Sequence, residues 1–89
     1  MKITLKVTDL NGDSMNATAI PVDFMAWERH TKGKVSTLAN GAGMEDLLFL
    51  AWSTLTRTQE VKEKFEDWAA KVAEIEVAED DPKATPRVH

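Results

Sequence analysis

The spacing of hydrophobic positions predicts a β-hairpin at the start of the chain. From Lys2 to Thr8 apolar and polar residues alternate strictly, which is the period of a half-buried strand. The next residues, Asp9 to Asp13, fit a three-residue turn in which Gly12 takes the left-handed conformation. A two-residue turn would move the second strand's apolar side chains to the other face. The predicted hairpin, residues 2–20, therefore has one apolar face: Ile3, Leu5, Val7, Met15, Ala17 and Ala19.

Apolar residues spaced by three and four positions predict three helices after the hairpin. Asp23 is a suitable N-cap for a first helix over about residues 23–30, with Phe24 and Trp27 on its apolar side. Residues 44–57 are apolar around most of the helix, so this second helix is predicted to be central and buried. A third helix is predicted over residues 59–75 from apolar steps of four and three: Val61, Phe65, Trp68, Val72 and Ile75.

These elements predict an α+β fold, with one small domain over residues 1–75. Residues 76–89 combine an acidic cluster with two prolines and no apolar period, which predicts a flexible acidic tail. A hairpin alone is marginal in water, and the pattern indicates no third strand to cover its edges. We therefore expect the first or second strand to pair with a neighbouring copy, giving a homo-oligomer. The alternative is that an edge stays free for an extended segment of a partner.

Composition and charge narrow the expected partners. Of 89 residues, 43% are hydrophobic and 29% are charged, which is typical of a globular protein. The absence of cysteine excludes a disulfide framework and thiolate metal ligands. Residues 44–89 carry six basic and eleven acidic residues, and such an acidic half repels phosphate. No apolar run approaches the ~18 residues of a membrane span, and the start does not fit a signal peptide. We expect a cytoplasmic protein without nucleic-acid or membrane partners.

Residue types that carry catalysis are sparse in this sequence. His30 has no serine, cysteine or metal-ligand residue near it in sequence, and near a helix end it is more often a partner of the helix dipole. The chain contains no nucleophile motif, and its acidic cluster lacks the ligand spacing of a calcium loop. The sequence therefore predicts a non-enzymatic contact protein with no catalytic residue, cofactor or metal.

Aromatic residues are the candidates for contact with another protein. Trp27, Trp52 and Trp68 occur one per predicted helix, at spacings typical of a hydrophobic core. Core packing is the first interpretation, but tryptophan is also enriched at the residues that dominate binding energy in interfaces. The predicted protein-binding residues are Trp27, Arg29, Phe49, Trp52, Phe65 and Trp68.

Four short segments resemble the tail assembly chaperones of long-tailed, siphovirus-type bacteriophages, especially those of actinobacterial phages. They read MEDLLFLAW at residues 44–52, AWERH at 26–30, FEDW at 65–68 and EIEV at 74–77. Their order and spacing, from the opening hairpin to the acidic tail, carry the resemblance. Thr31 departs from it, because such proteins often have an aromatic residue after the Glu-Arg pair.

The resemblance implies a function without catalysis. Proteins of this family bind the tape measure protein, keep it soluble and are thought to help bring the tail tube protein to it. They act in the cytoplasm of the bacterial host and leave before the virion is finished. An acidic adaptor that masks a basic surface, in the manner of an antitoxin, is an alternative from another class. A nucleic-acid-binding regulator ranks third, and an enzyme ranks last.

The resemblance also implies a second, longer product. Many such proteins are extended by programmed ribosomal frameshifting near the end of the short reading frame. Asp81, Pro82 and Lys83 can be encoded as GAC-CCA-AAG. This contains the heptamer C-CCA-AAG, in which the tRNAs on the last two codons, CCA and AAG, can re-pair after a backward slip of one base. We expect the gene to use these three codons, and the nucleotide sequence of the gene would test this expectation.

Overall fold

A computed structural model describes residues 2–38 and 41–78 of the chain. The α+β class is confirmed: a three-stranded antiparallel sheet packs against helices. None of the described helices has the length and apolar character needed to cross a membrane. The elements in chain order are β1 (Ile3–Asp9), β2 (Ser14–Ala19), α1 (Pro21–Thr31), α2 (Val35–Leu38), α3 (Met44–Arg57), α4 (Phe65–Ala69) and β3 (Val72–Ala78).

The hairpin of β1 and β2 has the predicted register. Its facing pairs include Ile3 with Ala19, Leu5 with Ala17, and Val7 with Met15. The Asp9 N–H donates to the Asp13 carbonyl at 2.9 Å, which closes a three-residue turn. Gly12 has a φ of 92°, and this left-handed conformation costs glycine little. The turn therefore fixes which face of the hairpin meets the core.

The central helix, α3, begins and ends where the sequence predicts. The carboxylate of Asp46 accepts the N–H of Gly43 at 2.8 Å, which satisfies one of the unpaired donors at the helix start. Leu50, Ala51 and Leu55 are fully buried, which confirms that this helix is central. Burial of each such leucine stabilises the fold by roughly 1.5–3 kcal/mol. α3 packs on the sheet and contacts both α1 and α4.

The predicted helix over residues 59–75 is wrong. After α3, Gln59 takes a φ of 67° and the chain runs irregularly to α4, which covers only Phe65–Ala69. The chain then continues as β3, antiparallel to β1. Val72, Ile75 and Val77 are β-branched, and such residues favour strands because their side chains pack well on a pleated surface. Pairing with β3 also satisfies the backbone groups on the second edge of β1.

Strand β3 corrects two further predictions. The strand order is β2-β1-β3, so β1 is paired on both edges and is not available to a neighbouring copy. Residues 76–78, predicted to begin the flexible tail, belong to β3. The remainder of the predicted tail, residues 79–89, lies outside the described residues.

Asp23 has a different role from the predicted N-cap. α1 begins at Pro21, and Ile20 is the capping residue. Proline suits this first position because its missing N–H would have no partner inside the helix. Asp23 lies one turn further on, where its carboxylate accepts the Ile20 N–H at 3.0 Å.

Candidate functional site

Helices α1 and α3 lie side by side and run in opposite directions. The start of α1 meets the end of α3 through Asp23 and Arg57, whereas its end meets the start of α3 through His30 and Glu45. Between these ends, the indole N–H of Trp27 donates to the Asp46 carboxylate at 2.9 Å. The two ends of this helix pair differ in chemistry.

Four rings meet at one end and form what we call the aromatic cluster: His30, Phe49, Trp52 and Phe65. His30 stacks on Phe49, with ring centroids 4.3 Å apart and planes inclined by 9°. Phe65 presents its edge to Phe49 at 5.5 Å and to Trp52 at 5.7 Å. Stacked and edge-on arrangements at these distances are the favourable ones for aromatic pairs. The cluster therefore joins α1, α3 and α4.

The aromatic cluster is buried at its base and open at its top. Phe49 is buried, whereas Trp52 and Phe65 are half-buried and the His30 side chain is 35% exposed. The indole N–H of Trp52 donates to the carbonyl of Glu63 at 2.9 Å, which fixes the ring against the irregular segment before α4. A shallow pocket beside the cluster has a polar rim, and its lining residues are His30, Lys64, Phe65, Glu66 and Asp67.

The structure brings together three of the predicted protein-binding residues: Phe49, Trp52 and Phe65 lie in the aromatic cluster. Trp27 and Trp68 are buried and belong to the core. Arg29 is exposed and lies outside the cluster.

Sequence reasoning missed His30 as a member of the aromatic cluster. His30 lies in the last turn of α1, which fits the predicted position near a helix end, but its ring also stacks on Phe49 and it lies 3.2 Å from the Glu45 carboxylate. Both partners belong to another helix, so no local pattern in the sequence indicates these contacts.

The opposite end of the helix pair is held by a group that we call the ionic lock: Asp23, Ser53 and Arg57. Asp23 is 1% exposed, and its carboxylate accepts hydrogen bonds from Arg57 Nη2 at 2.9 Å and the Ser53 hydroxyl at 2.8 Å. Burial alone would raise the pKa of Asp23. Hydrogen bonds from Arg57, the Ile20 N–H and Ser53 outweigh burial and hold the pKa below its ordinary value. The carboxylate is therefore ionised at neutral pH and acts as a structural anchor.

The two ends thus offer different capacities for binding. The carboxylate of the ionic lock already has protein donors, whereas the aromatic cluster presents partly hydrated apolar rings that another protein can cover. Within residues 2–38 and 41–78, no group of three His, Asp or Glu side chains is placed to hold a metal ion. The aromatic cluster is therefore the candidate functional site.

The chain matches no protein-family model, no curated protein and no solved structure at a significant level.

Proposed function

We propose that this protein is a tail assembly chaperone of a long-tailed bacteriophage, and that the aromatic cluster binds the tape measure protein. The aromatic cluster is the observation that carries the proposal. Three of the four segments that resemble the family contribute its rings: residues 26–30 supply His30, residues 44–52 supply Phe49 and Trp52, and residues 65–68 supply Phe65. Segments distant in sequence thus contribute to one surface.

The chemistry of the cluster suits an apolar stripe on a helix. In the proposal, the partner is long and helix-rich, so before assembly its helices expose stripes of apolar side chains. Aromatic rings cover such a stripe with little loss of conformational entropy, because each ring has only two side-chain torsions. The charged side chains of Lys64, Glu66 and Asp67 form a polar rim, as is usual around the apolar centre of an interface.

The small size of the surface fits a partner that must be released. Within the aromatic cluster, His30, Trp52 and Phe65 are the members with partly exposed rings. We expect each contact to bury less than the ~1,200 Å² at the lower end of stable interfaces, and therefore to be weak and reversible. Several copies along one tape measure protein would keep it soluble by many weak contacts instead of one tight contact.

Co-expression with the tape measure protein tests this function. Phe65→Ser removes the ring that α4 contributes, and we expect the soluble fraction of the tape measure protein to fall several-fold. Leu10→Ser is the matched control, because Leu10 is a more exposed apolar residue in the hairpin turn, outside the cluster. Circular dichroism verifies that both variants are folded. Full solubility with Phe65→Ser, or an equal loss with Leu10→Ser, would contradict the proposal.

The acidic strand β3 supports a second candidate, an adaptor that covers a basic surface. Glu74 and Glu76 are exposed at an edge of the sheet. A basic partner would be attracted to these carboxylates, and its binding would weaken with salt. The double variant Glu74→Gln/Glu76→Gln distinguishes the two candidate functions. If the protein is an adaptor, the variant should no longer bind its basic partner. If it is a chaperone, binding of the tape measure protein through the aromatic cluster should be unchanged.

A further inference from the structure

The two outer strands of the sheet differ in charge. The order β2-β1-β3 leaves one side of β2 and one side of β3 without a neighbouring strand among the described residues. β3 carries Glu74 and Glu76, whereas β2, with the sequence SMNATA, carries no charged side chain. Charged side chains on an edge strand oppose pairing with another chain. The β2 edge lacks this protection.

The register identifies the backbone groups that β2 directs away from β1. In an antiparallel ladder, alternate residues bond to the same neighbouring strand. Asp13 bonds to β1 through its carbonyl, which accepts the Asp9 N–H, so every second residue from Asp13 onward also faces β1. The residues between them, Ser14, Asn16 and Thr18, direct their N–H and C=O groups outward. Within the part of the chain that the structure describes, no other segment forms backbone hydrogen bonds with these outward groups. Such an edge is a template for another strand.

A second copy of the chain matches this edge by two-fold symmetry. Antiparallel pairing centred on Asn16 places Ser14 opposite Thr18 of the second copy, with all outward backbone groups facing each other. The hydroxyls of both residues already form such cross-strand bonds with β1, Ser14 with Thr8 and Thr18 with Thr4, each at 3.0 Å. The proposed pair repeats a contact that this sheet uses.

The charges distinguish β2 from β3 as the self-pairing strand. A β2 pair centred on Asn16 places exposed Met15 beside Ala17 of the second copy, which extends the apolar face. An antiparallel β3 pair centred on Ile75 would place Glu74 opposite Glu76 of the second copy. Like charges directly opposite destabilise a sheet.

The helix that follows β2 exposes a second self-complementary surface. Val22 and Met25, three residues apart in α1, are 45% and 53% exposed and face away from the buried Phe24 and Trp27. α1 contacts β2 and α3, which places it on the β2 side of the helix layer. When two β2 edges pair about an axis perpendicular to the sheet, the two α1 helices lie on the same face of the shared sheet. In a dimer of this kind, contact between their exposed apolar sides would cover Val22 and Met25 of both copies.

We propose that the protein forms a homodimer through β2 and α1. The two copies of β2 pair antiparallel to give one continuous sheet of six strands, three from each copy. Val22 and Met25 of the two copies pack against each other below the junction. None of these residues belongs to the aromatic cluster, so the dimer is independent of the proposed function and leaves the cluster open.

Sedimentation of the full chain with Asn16→Pro tests the strand pairing. An edge strand tolerates proline where the N–H of the replaced residue points to solvent. The ladder with β1 therefore stays intact in Asn16→Pro, while the outward N–H donor of residue 16 is lost. We expect the wild-type chain to have the mass of two copies and Asn16→Pro the mass of one. Val77→Pro is the matched control, because the register directs the Val77 N–H outward at the β3 edge. It should keep the mass of two copies.

Met25→Asp tests the helix contact without touching the sheet. It should raise the dissociation constant of the dimer at least tenfold, whereas Leu10→Asp, at an exposed apolar residue in the hairpin turn, should not change it. Circular dichroism verifies the fold of each variant. A wild-type chain that keeps the mass of one copy at high concentration would overturn the proposal. So would a dimer that Met25→Asp leaves unchanged, or one that dissociates with Val77→Pro but not with Asn16→Pro.

Discussion

The two ends of the α1–α3 pair join the same helices by contrasting interactions. At the ionic lock, a buried carboxylate receives directed hydrogen bonds from Arg57 and Ser53. At the aromatic cluster, the rings contact one another, and Trp52 and Phe65 remain partly exposed to solvent. Charge-assisted hydrogen bonds require a defined geometry, so the lock sets how the helices dock. Apolar ring contacts are less directional, so the cluster is the end that we propose binds a partner.

The largest expected effect comes from removing the base of the aromatic cluster. Phe49→Ala leaves a cavity beneath His30, Trp52 and Phe65, and we expect the free energy of unfolding to fall by about 3–4 kcal/mol. Urea denaturation at neutral and acidic pH measures it. Because no charge is involved, the loss should be the same at both pH values. A loss confined to one pH would contradict a purely apolar role.

Breaking the ionic lock should cost less and should depend on pH. Arg57→Met keeps the apolar stem but leaves the carboxylate of Asp23 buried without its cation. Loss of one partner of a fully buried pair costs up to about 5 kcal/mol, but the Arg57 side chain is 36% exposed, so solvent screens this pair and lowers the cost. Because Ser53 and the Ile20 N–H remain as donors, we expect about 2–3 kcal/mol at neutral pH.

The pH dependence of Arg57→Met gives a signed test. Arg57 makes the largest of the contributions that lower the pKa of Asp23, so its removal should leave that pKa higher than in the wild type, and protonation in acid then relieves the unpaired charge. The difference in unfolding free energy between wild type and Arg57→Met should therefore shrink as the pH falls. An equal difference at all pH values would show that Arg57 acts through packing alone.

The wild-type protein should lose the contribution of Asp23 in acid. The folded-state pKa lies below the unfolded value of about 3.9, so the stabilisation is complete above the unfolded pKa. It decreases as the pH falls through the folded pKa. Asp23→Asn should therefore flatten this part of the stability–pH curve, while Phe49→Ala should leave its shape unchanged. A curve of unchanged shape for Asp23→Asn would assign the acid response to other carboxylates.

The smallest effect is expected for His30, which lies at the open edge of the aromatic cluster. His30→Ala removes one stacked ring from Phe49, and such a pair contributes about 0.5–1.5 kcal/mol. We expect a change near the lower limit because the side chain is partly hydrated. Thermal unfolding measures it. A loss as large as that of Phe49→Ala would mean that His30 supports the core.

The two ends also show which features were readable in the sequence. The hairpin register and the bounds of α3 follow from local signals: Gly12 in the turn, strict alternation in β1, and acidic residues at the helix start. Asp23 and Arg57 each fitted an ordinary helix end, and their pairing arises only when α1 and α3 dock. The same holds for His30 and Phe49. Contacts between distant segments leave no local pattern to read.

The misassigned third helix shows the same limit in another form. Val61, Phe65, Trp68, Val72 and Ile75 fit a helical period, and local pattern alone favoured one long helix. In the fold these residues divide among an irregular segment, α4 and β3, because the free edge of β1 needed a partner strand. The alternation of Ile75 and Val77 with glutamates was the overlooked signal of a strand.

The position of β3 has a consequence for how the protein folds. The hairpin rests on contacts between near neighbours in sequence, whereas β3 joins the first strand to the last described strand, pairing Val7 with Ile75. Such a long-range pairing closes a large loop and is slow to form. During synthesis, the edge of β1 stays open until β3 has been made. Folding of the sheet is therefore completed late, and a chain cut before Val72 would keep one edge of β1 open and prone to aggregation.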